Sequence, residues 1–468
     1  MLFNSWAFIL LLLATFVIYY LPRMGKLQVS ILIISSLLFY AYGQPALLLL
    51  LLCSASINIM MSYMTVYGSV NHRKLYVTLG VVLNLAILAY FKYGSLLAHT
   101  FMDTSKGLGH YLIMTPLPIG ISFYTFEGIS LLLDVYSNRH ADVLTIDKSI
   151  GKHVTKTLFF ISFFPHLIAG PILKAYEFYP QIKEKSIKTI DWDYVFRKLT
   201  AGYFFKMVIA DNLSNFTFWM TAPYFQTLSS ITLIVMLLGY SIQIFADFAG
   251  YSMIALGLAK LFGYDLLENF NFPYISTSFS EFWRRWHISL STFLKEYLYI
   301  PLGGNRKGHV RTYFNLTITM VLGGLWHGAG WSYAVWGAFH GLALAIERLI
   351  NQTFRIKIES RIGIILKGCM VFSFVTLAWL LFRLPFHDVV DYLKAIGTNV
   401  HVPNNRLILV CIIIYSMPVV LYHIHYLMPA DWRLNSTVNR YKYLANAIML
   451  FLIAVNSGPS GSFIYFQF

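Results

Sequence analysis

Residues 323–331 read Gly-Gly-Leu-Trp-His-Gly-Ala-Gly-Trp and set His327 inside an apolar run that extends from Tyr313 through Val321 and Leu325. An ionisable ring at membrane depth is costly, which makes it a functional candidate by default. An imidazole with a pKa near neutrality is the natural general base for deprotonating a hydroxyl. The competing reading is a neutral core histidine that donates to a backbone carbonyl. The glycines Gly323, Gly324, Gly328 and Gly330 remove bulk around the ring, which leaves room for a substrate channel or allows close helix packing. His340, in Trp336-Gly-Ala-Phe-His-Gly341, follows on a returning helix and orients His327, binds substrate, or merely packs.

Four other residues are candidates for the wall of a substrate channel. His166 lies in Phe164-Pro-His-Leu-Ile-Ala-Gly-Pro171, a segment that Pro and Gly break. Asp247, in Gln243-Ile-Phe-Ala-Asp-Phe-Ala-Gly-Tyr251, is a carboxylate in an apolar span and must be paired or solvated. Trp326 adjoins His327, and His287 closes the run Trp283-Arg-Arg-Trp-His287. Arg284, Arg285, Arg306 and Lys307 could attract a polyanionic cytosolic ligand such as the phosphates of coenzyme A, or serve as lipid-headgroup contacts. His423 and His425 lack small-residue neighbours and read as structural. No Walker loop, dinucleotide fingerprint, metal-ligand cluster or nucleophile elbow appears.

The elements that position these residues are membrane helices. Of the 468 residues, 57% are hydrophobic and 12% charged, and the mean hydropathy is +0.63. That is about half the charged fraction of a soluble domain. Continuous apolar stretches approach the roughly 20 residues needed to cross a bilayer, which predicts an all-α polytopic membrane protein and not a β-barrel. The net charge of +15 would point to nucleic acid in a soluble chain. Here the cations cluster in short loops, where they set topology and contact anionic lipid, so no nucleic-acid partner is expected. Cys53, Cys369 and Cys411 sit in apolar runs and read as inert core residues. The first span lacks the charge and cleavage site of a signal peptide and reads as a retained helix.

Twelve spans are predicted, at about 3–21, 27–42, 45–65, 75–98, 112–135, 200–221, 228–258, 313–330, 333–350, 362–384, 405–427 and 441–457. Basic residues follow the first, third, fifth and ninth, which fits an N-terminus on the outside. With twelve spans the tail also lies outside; one span fewer would move it inside. Residues 157–173 are apolar with basic flanks on both sides and read as a re-entrant segment. Residues 260–312 are too polar to span and read as amphipathic helices and turns on the cytosolic face. A helix that starts near Tyr313 would place His327 about 20 Å in.

In order along the chain, several motifs resemble the membrane-bound O-acyltransferase family, in its bacterial polysaccharide-acetylating branch. They are Pro118-Ile-Gly-Ile-Ser-Phe-Tyr-Thr-Phe126 with Asp134-Val-Tyr136, the Phe164–Pro171 segment, Asp247-Phe-Ala-Gly-Tyr-Ser252 and Asn269-Phe-Asn-Phe-Pro-Tyr274. The run from Glu281-Phe-Trp-Arg-Arg-Trp-His287 to Tyr299-Ile-Pro-Leu-Gly-Gly-Asn305 is the most specific, and Gly323–Gly328 matches the stretch holding that family's essential histidine. Glu127 departs from the pattern, standing where relatives often have Gln.

The resemblance implies one domain, residues 1–468, built as a ring of about 11–12 transmembrane helices with re-entrant and cytosolic amphipathic segments. Within it, N-terminal helices occupy 1–150, a catalytic core with His327 occupies 151–350, and C-terminal helices with an aromatic tail occupy 351–468. It implies an O-acyltransferase, an O-acetyltransferase first of all, in the bacterial cytoplasmic (inner) membrane. No cofactor is bound; acetyl-CoA or another acyl thioester is the donor substrate. The acceptor would be an extracytoplasmic polysaccharide, whether alginate-like, cellulose, another exopolysaccharide or peptidoglycan. Implied partners are a periplasmic or membrane-anchored SGNH-type acetyltransferase or acyl acceptor, and a polysaccharide synthase complex. D-alanyl transfer to teichoic acid is the near alternative, and a transporter using His327 and Asp247 as a proton relay the distant one. The tail, Phe463-Ile-Tyr-Phe-Gln-Phe468 after Gly458-Pro-Ser-Gly461, resembles the tyrosine motif of an accessory protein in D-alanylation. This makes Tyr465 either a transient acyl carrier activated by His327 or an interfacial anchor.

Overall fold

The computed structural model describes residues 1–168, 170–354, 360–429, 436–459, 461 and 463, with the backbone alone for 436–440. The described residues form helices and no strand. Among the described residues, five helical stretches are by themselves long and apolar enough to cross a membrane: Pro45–Tyr67, Val70–Phe101, Ser230–Leu261, Arg361–Arg383 and Arg406–Leu427. The chain divides into two compact units, one of residues 1–196 and 254–267, the other of 197–253 and 268–468.

In the first unit, α1 (Trp6–Tyr19), α2 (Gln28–Ala41) and α3 (Pro45–Tyr67) follow one another through short turns. Next, α4 (Arg73–Leu88) runs through a π-helical turn into α5 (Gly94–Phe101). A short α6 (Gly107–Met114) precedes α7 (Ile121–Ser137), so the fifth predicted span starts nine residues later than expected, because Pro116 and Pro118 interrupt it. The polar residues of α3 and α4 pair in the interior, where Asn58 and Asn84 exchange side-chain hydrogen bonds of 3.2 and 3.0 Å. Such exchanges satisfy amides where no water can. The predicted re-entrant segment comprises the end of α8 (Ile150–Ser162), a break at Phe163, the one-turn α9 (Phe164–Leu167) and, at 168 and 170–174, non-helical chain. A short α10 (Ala175–Phe178) and the first residues of α11 (Trp192–Tyr203) complete this unit with the end of α13 (Ser230–Leu261).

The second unit takes the rest of α11, a π-helical turn at Phe204–Ala210, α12 (Asp211–Thr217) and α13 up to Met253. The stretch read as a cytosolic platform folds into α14 (Phe279–Arg285), α15 (Ile288–Leu294) and a π-helical turn at Lys295–Tyr299. Helices α16 (His309–His327) and α17 (Trp331–Phe354) form a tight hairpin. They are followed by α18 (Arg361–Arg383), α19 (Phe386–Thr398), α20 (Arg406–Leu427) and α21 (Ser436–Val455). The amphipathic α19 was not anticipated, since its polar face hides it from a search for spans.

Two sequence expectations are corrected. Helix α16 starts at His309, four residues early, and ends on His327, which therefore occupies a helix terminus and not the middle of a continuous run. Cys53 and Cys369 are exposed on their helices and Cys411 is half-buried, so the cysteines are not core residues. Apolar runs in a membrane protein face lipid as readily as protein, and periodicity does not separate the two.

Candidate functional site

His327 is buried in an aromatic enclosure assembled by four elements. Its ring lies 5.1 Å from Trp326, 5.3 Å from Trp336 of α17, 5.5 Å from Phe382 of α18 and 5.8 Å from His287. The glycines of the motif serve the tighter of their two readings. A Cβ on Gly324 would fall 2.1 Å from the Tyr333 carbonyl oxygen, and one on Gly337 would fall 2.2 Å from that of Met320. Close backbone approach of α16 and α17, not channel space, is what these two positions require.

His287 enters the enclosure through backbone geometry. It stands between α14 and α15 with φ 43° and ψ 57°, the left-handed region that non-glycine residues seldom occupy. The geometry of this turn comes from the Asn-Phe-Asn stretch before it. Asn269 accepts from Ile288 N (3.0 Å) and Ser289 N (3.2 Å), while Asn271 N donates to the Arg285 carbonyl (2.9 Å). Held this way, the fully buried His287 ring rests 5.7 Å from Trp326 and 4.6 Å from Phe248 of α13.

His340 shares Trp336 with His327, at 4.8 Å, and packs 5.1 Å from Trp283. Neither of its ring nitrogens has a hydrogen-bond partner among the described residues. It therefore does not orient His327 through a hydrogen bond there; the Trp336 indole is their common neighbour. His423 follows the structural reading, with Nδ1 2.9 Å from the Val419 carbonyl oxygen.

Asp247 pairs with Lys206, 2.7 Å away, and Lys206 makes a second 2.7 Å contact with Asp211. All three are almost fully buried. The sequence reading missed Lys206 and Asp211, although two opposite charges in the apolar stretch Tyr203–Leu213 were a usable signal. They lie five residues apart, a spacing that ordinary helical periodicity separates and that the i→i+5 bonding of the Phe204–Ala210 π-helical turn aligns. A cavity of about 680 Å³ is lined by this triad together with Gln243, Trp219 and Arg383.

The start of the C-terminal tail adjoins that cavity. Gly458 N donates to the Met207 carbonyl (2.8 Å), and Asn212 Nδ2 donates to the Asn456 carbonyl (2.9 Å). A Cβ on Gly461 would lie 3.2 Å from Asp211 Oδ1. Phe463 is fully buried, 4.5 Å from Tyr251 and 5.7 Å from the same Phe248 that touches His287. Tyr465 lies outside the described residues.

His166 belongs to the first unit. Its Nδ1 lies 3.0 Å from Glu127 Oε1, with both side chains wholly buried, and Glu127 also accepts from Leu173 N (3.1 Å). Glu127 thus ties α7 to the broken segment. Of the basic candidates, Arg285 is engaged locally: it donates to Glu281 (2.9 Å) and to the Asn271 carbonyl (3.0 Å). Arg284, Arg306 and Lys307 are exposed.

The family model for membrane-bound O-acyltransferases matches residues 37–386. The chain is 38% identical to the probable alginate O-acetylase AlgI of Pseudomonas aeruginosa, over 82% of this chain and 72% of that one. It is 36% identical to the peptidoglycan O-acetyltransferase of Helicobacter pylori, over 75% and 70%. Similarity to the teichoic acid D-alanyltransferase of Bacillus subtilis is lower, 27% over 58% and 69%.

Proposed function

Because this chain belongs to the membrane-bound O-acyltransferase family, and is thus an acyltransferase of a bacterial membrane, we propose that it moves acetyl groups from a cytosolic acyl thioester to an extracytoplasmic polysaccharide. The observation that carries this reading is the buried His327–His287 pair, enclosed by aromatic rings at the end of α16. Water exclusion of this kind lets an imidazole act on a bound hydroxyl without competing hydrolysis.

In the proposed step His327 takes the proton of an attacking hydroxyl, whose oxygen bonds to the acyl carbon as the carbon–sulfur bond breaks. The proton then passes to the departing thiolate, leaving a free thiol and a new ester. Acetyl-CoA is the donor that suits exposed Arg284, Arg306 and Lys307, which meet phosphates as point charges and forks. Asp247 with Lys206 and Asp211 would form the polar wall on the acceptor side, and Trp326 and His287 would border the acyl group.

Tyr465 is proposed as the first acceptor. Phe463 is anchored against Phe248, which also contacts His287. An SGNH-type partner would then take the acetyl group onward to a glycan chain supplied by a polysaccharide synthase.

Labelled acetyl-CoA offered to the purified protein in vesicles tests the proposal. Labelled acyl-protein or acyl-glycan should form, and should disappear in His327→Ala and in Tyr465→Phe. Undiminished transfer by His327→Ala would overturn the base assignment. Product from a D-alanyl thioester, with none from acetyl-CoA, would move the chain to the teichoic acid reading.

A further inference from the structure

The cavity of about 680 Å³ beside the start of the tail has walls of mixed polarity. Lys206 and Arg383 bring two positive charges to it and Asp211 and Asp247 two negative ones, so the four cancel. Gln243 adds an amide, and Trp219 adds an indole that stays 41% exposed. Two groups in this wall are left incomplete. Asp211 is almost fully buried, and while its Oδ1 meets Lys206, its Oδ2 has no hydrogen-bond partner among the described residues. Arg383 Nε is likewise buried with no acceptor there. A buried donor or acceptor left open is costly, so an open pair in a cavity wall calls for a ligand that supplies both counterparts.

The cavity flanks the histidine enclosure. Phe248 of α13 touches His287, and Asp247, the residue before it, lines the cavity. Phe382 of α18 touches His327, and Arg383, the residue after it, lines the cavity. Consecutive residues lie only about 3.8 Å apart, so the two chambers share these helices as walls. The helical run that begins with α11 carries Arg197 and Lys198 near its start and is followed by residues 221–229, which include no charged side chain. Helix α18 likewise starts at Arg361 and delivers Arg383 at its other end, 23 residues long in all. Cations concentrate in cytosolic loops, which puts the Trp219 end of the cavity on the extracytoplasmic side.

We infer that this cavity binds one uncharged pyranose ring of the glycan, with Asp211 Oδ2 accepting from a sugar hydroxyl, Arg383 Nε donating to a sugar oxygen, and Trp219 covering the apolar face of the ring. Hydroxyls both donate and accept, which matches a wall that offers both. A cavity of this size falls in the range of about 300–1,000 Å³ that small-molecule sites occupy. A uronate ring would set a third carboxylate beside Asp211 and Asp247, with two cations to offset three anions. The inference rests on the reading of a polysaccharide acceptor and narrows it to uncharged sugars, held beside the enclosure while the acetyl group is handed on.

The test measures binding to the full-length protein in detergent by calorimetry, with no acyl donor present, using cellotetraose, chitotetraose and tetramannuronate. At least one neutral tetramer should bind about tenfold more tightly than tetramannuronate, a difference calorimetry resolves. Trp219→Ala should weaken that binding about tenfold, and Trp219→Phe, which keeps an aromatic face, by no more than about threefold. In the unaltered protein the bound tetramer should protect Trp219 from hydroxyl-radical oxidation, a readout that no variant's folding affects. Binding of none of the three, equal or tighter binding of tetramannuronate, or Trp219 oxidation unchanged by the tetramer would each overturn the inference. A failure of acetyl transfer would leave all of these readouts intact, since none uses the donor.

Discussion

His287, His327 and His340 all lie within one set of packed aromatics, yet their surroundings give them different work. His287 is held in a left-handed backbone conformation that costs an ordinary L-residue roughly 1–2 kcal/mol. Asn tolerates this region, so His287→Asn should fold like the parent protein, whereas His287→Val should lower thermal stability by about that amount. Acyl transfer measured on both variants then isolates the ring: loss in the Asn variant assigns the imidazole a part in the reaction. His340 has no hydrogen bond among the described residues. Replacing it with Phe removes a buried polar group of similar volume, so stability should hold or rise by about 1–3 kcal/mol. Transfer activity within a fewfold of the parent would confirm a packing role, and a loss of two orders of magnitude would return it to the catalytic set.

At the scale of elements, the site depends on how neighbouring helices are locked. Gly337→Ala brings a methyl group against the Met320 carbonyl and should cost about 1–3 kcal/mol in a denaturation assay, moving His327 away from Trp336. The π-helical turn at Phe204–Ala210 has a different task, since it alone aligns Lys206 with Asp211. Lys206→Met removes the cation that two buried carboxylates share and should destabilise by about 3–5 kcal/mol, while adding Asp211→Asn and Asp247→Asn should recover much of the loss. Helix α14 is capped by Ser278, whose Oγ accepts from Glu281 N (3.0 Å), and Glu347 of α17 accepts from Phe279 and Ser280 N. Burial raises the pKa of Glu281, but hydrogen bonds from Thr277 and Arg285 outweigh it and hold the carboxyl below its ordinary 4.5. A carboxylate with a lowered folded-state pKa stabilises fully above pH 4.5 and loses that contribution as pH falls through the lowered value. The stability gap between the parent and Glu281→Gln should therefore narrow only below about pH 4.5, which thermal melts across pH 3–7 would reveal.

For the molecule as a whole, the C-terminal segment is the part whose removal should separate folding from function. Truncation after Asn456 removes the Gly458–Met207 hydrogen bond and the Phe463 ring but no transmembrane helix. Such a protein should insert and remain monodisperse in detergent while losing acyl transfer; full activity would show that the tail is only an anchor. In the first unit, Glu127→Gln should keep the Leu173 hydrogen bond and fold, whereas Glu127→Ala leaves His166 and the Leu173 amide unpartnered and should cost about 1–3 kcal/mol. Limited proteolysis of the broken Phe163–Lys174 segment would register the difference.

Composition, apolar run length and loop charge were enough to determine an all-helical membrane protein, because crossing lipid forces the backbone into helices and forces cations into the loops. The motifs around His327 were equally legible, since an imidazole and four glycines within one apolar stretch have few uses. The tertiary structure decided what pairs with what. Lys206 and Asp247 are 41 residues apart in sequence and meet only where α13 packs beside the π-helical turn, and His287 reaches His327 through a left-handed turn held by the Asn269–Asn271 loop. The direction in which an apolar face points, toward protein for Gly324 or toward lipid for Cys53, depends on neighbours that no local pattern encodes.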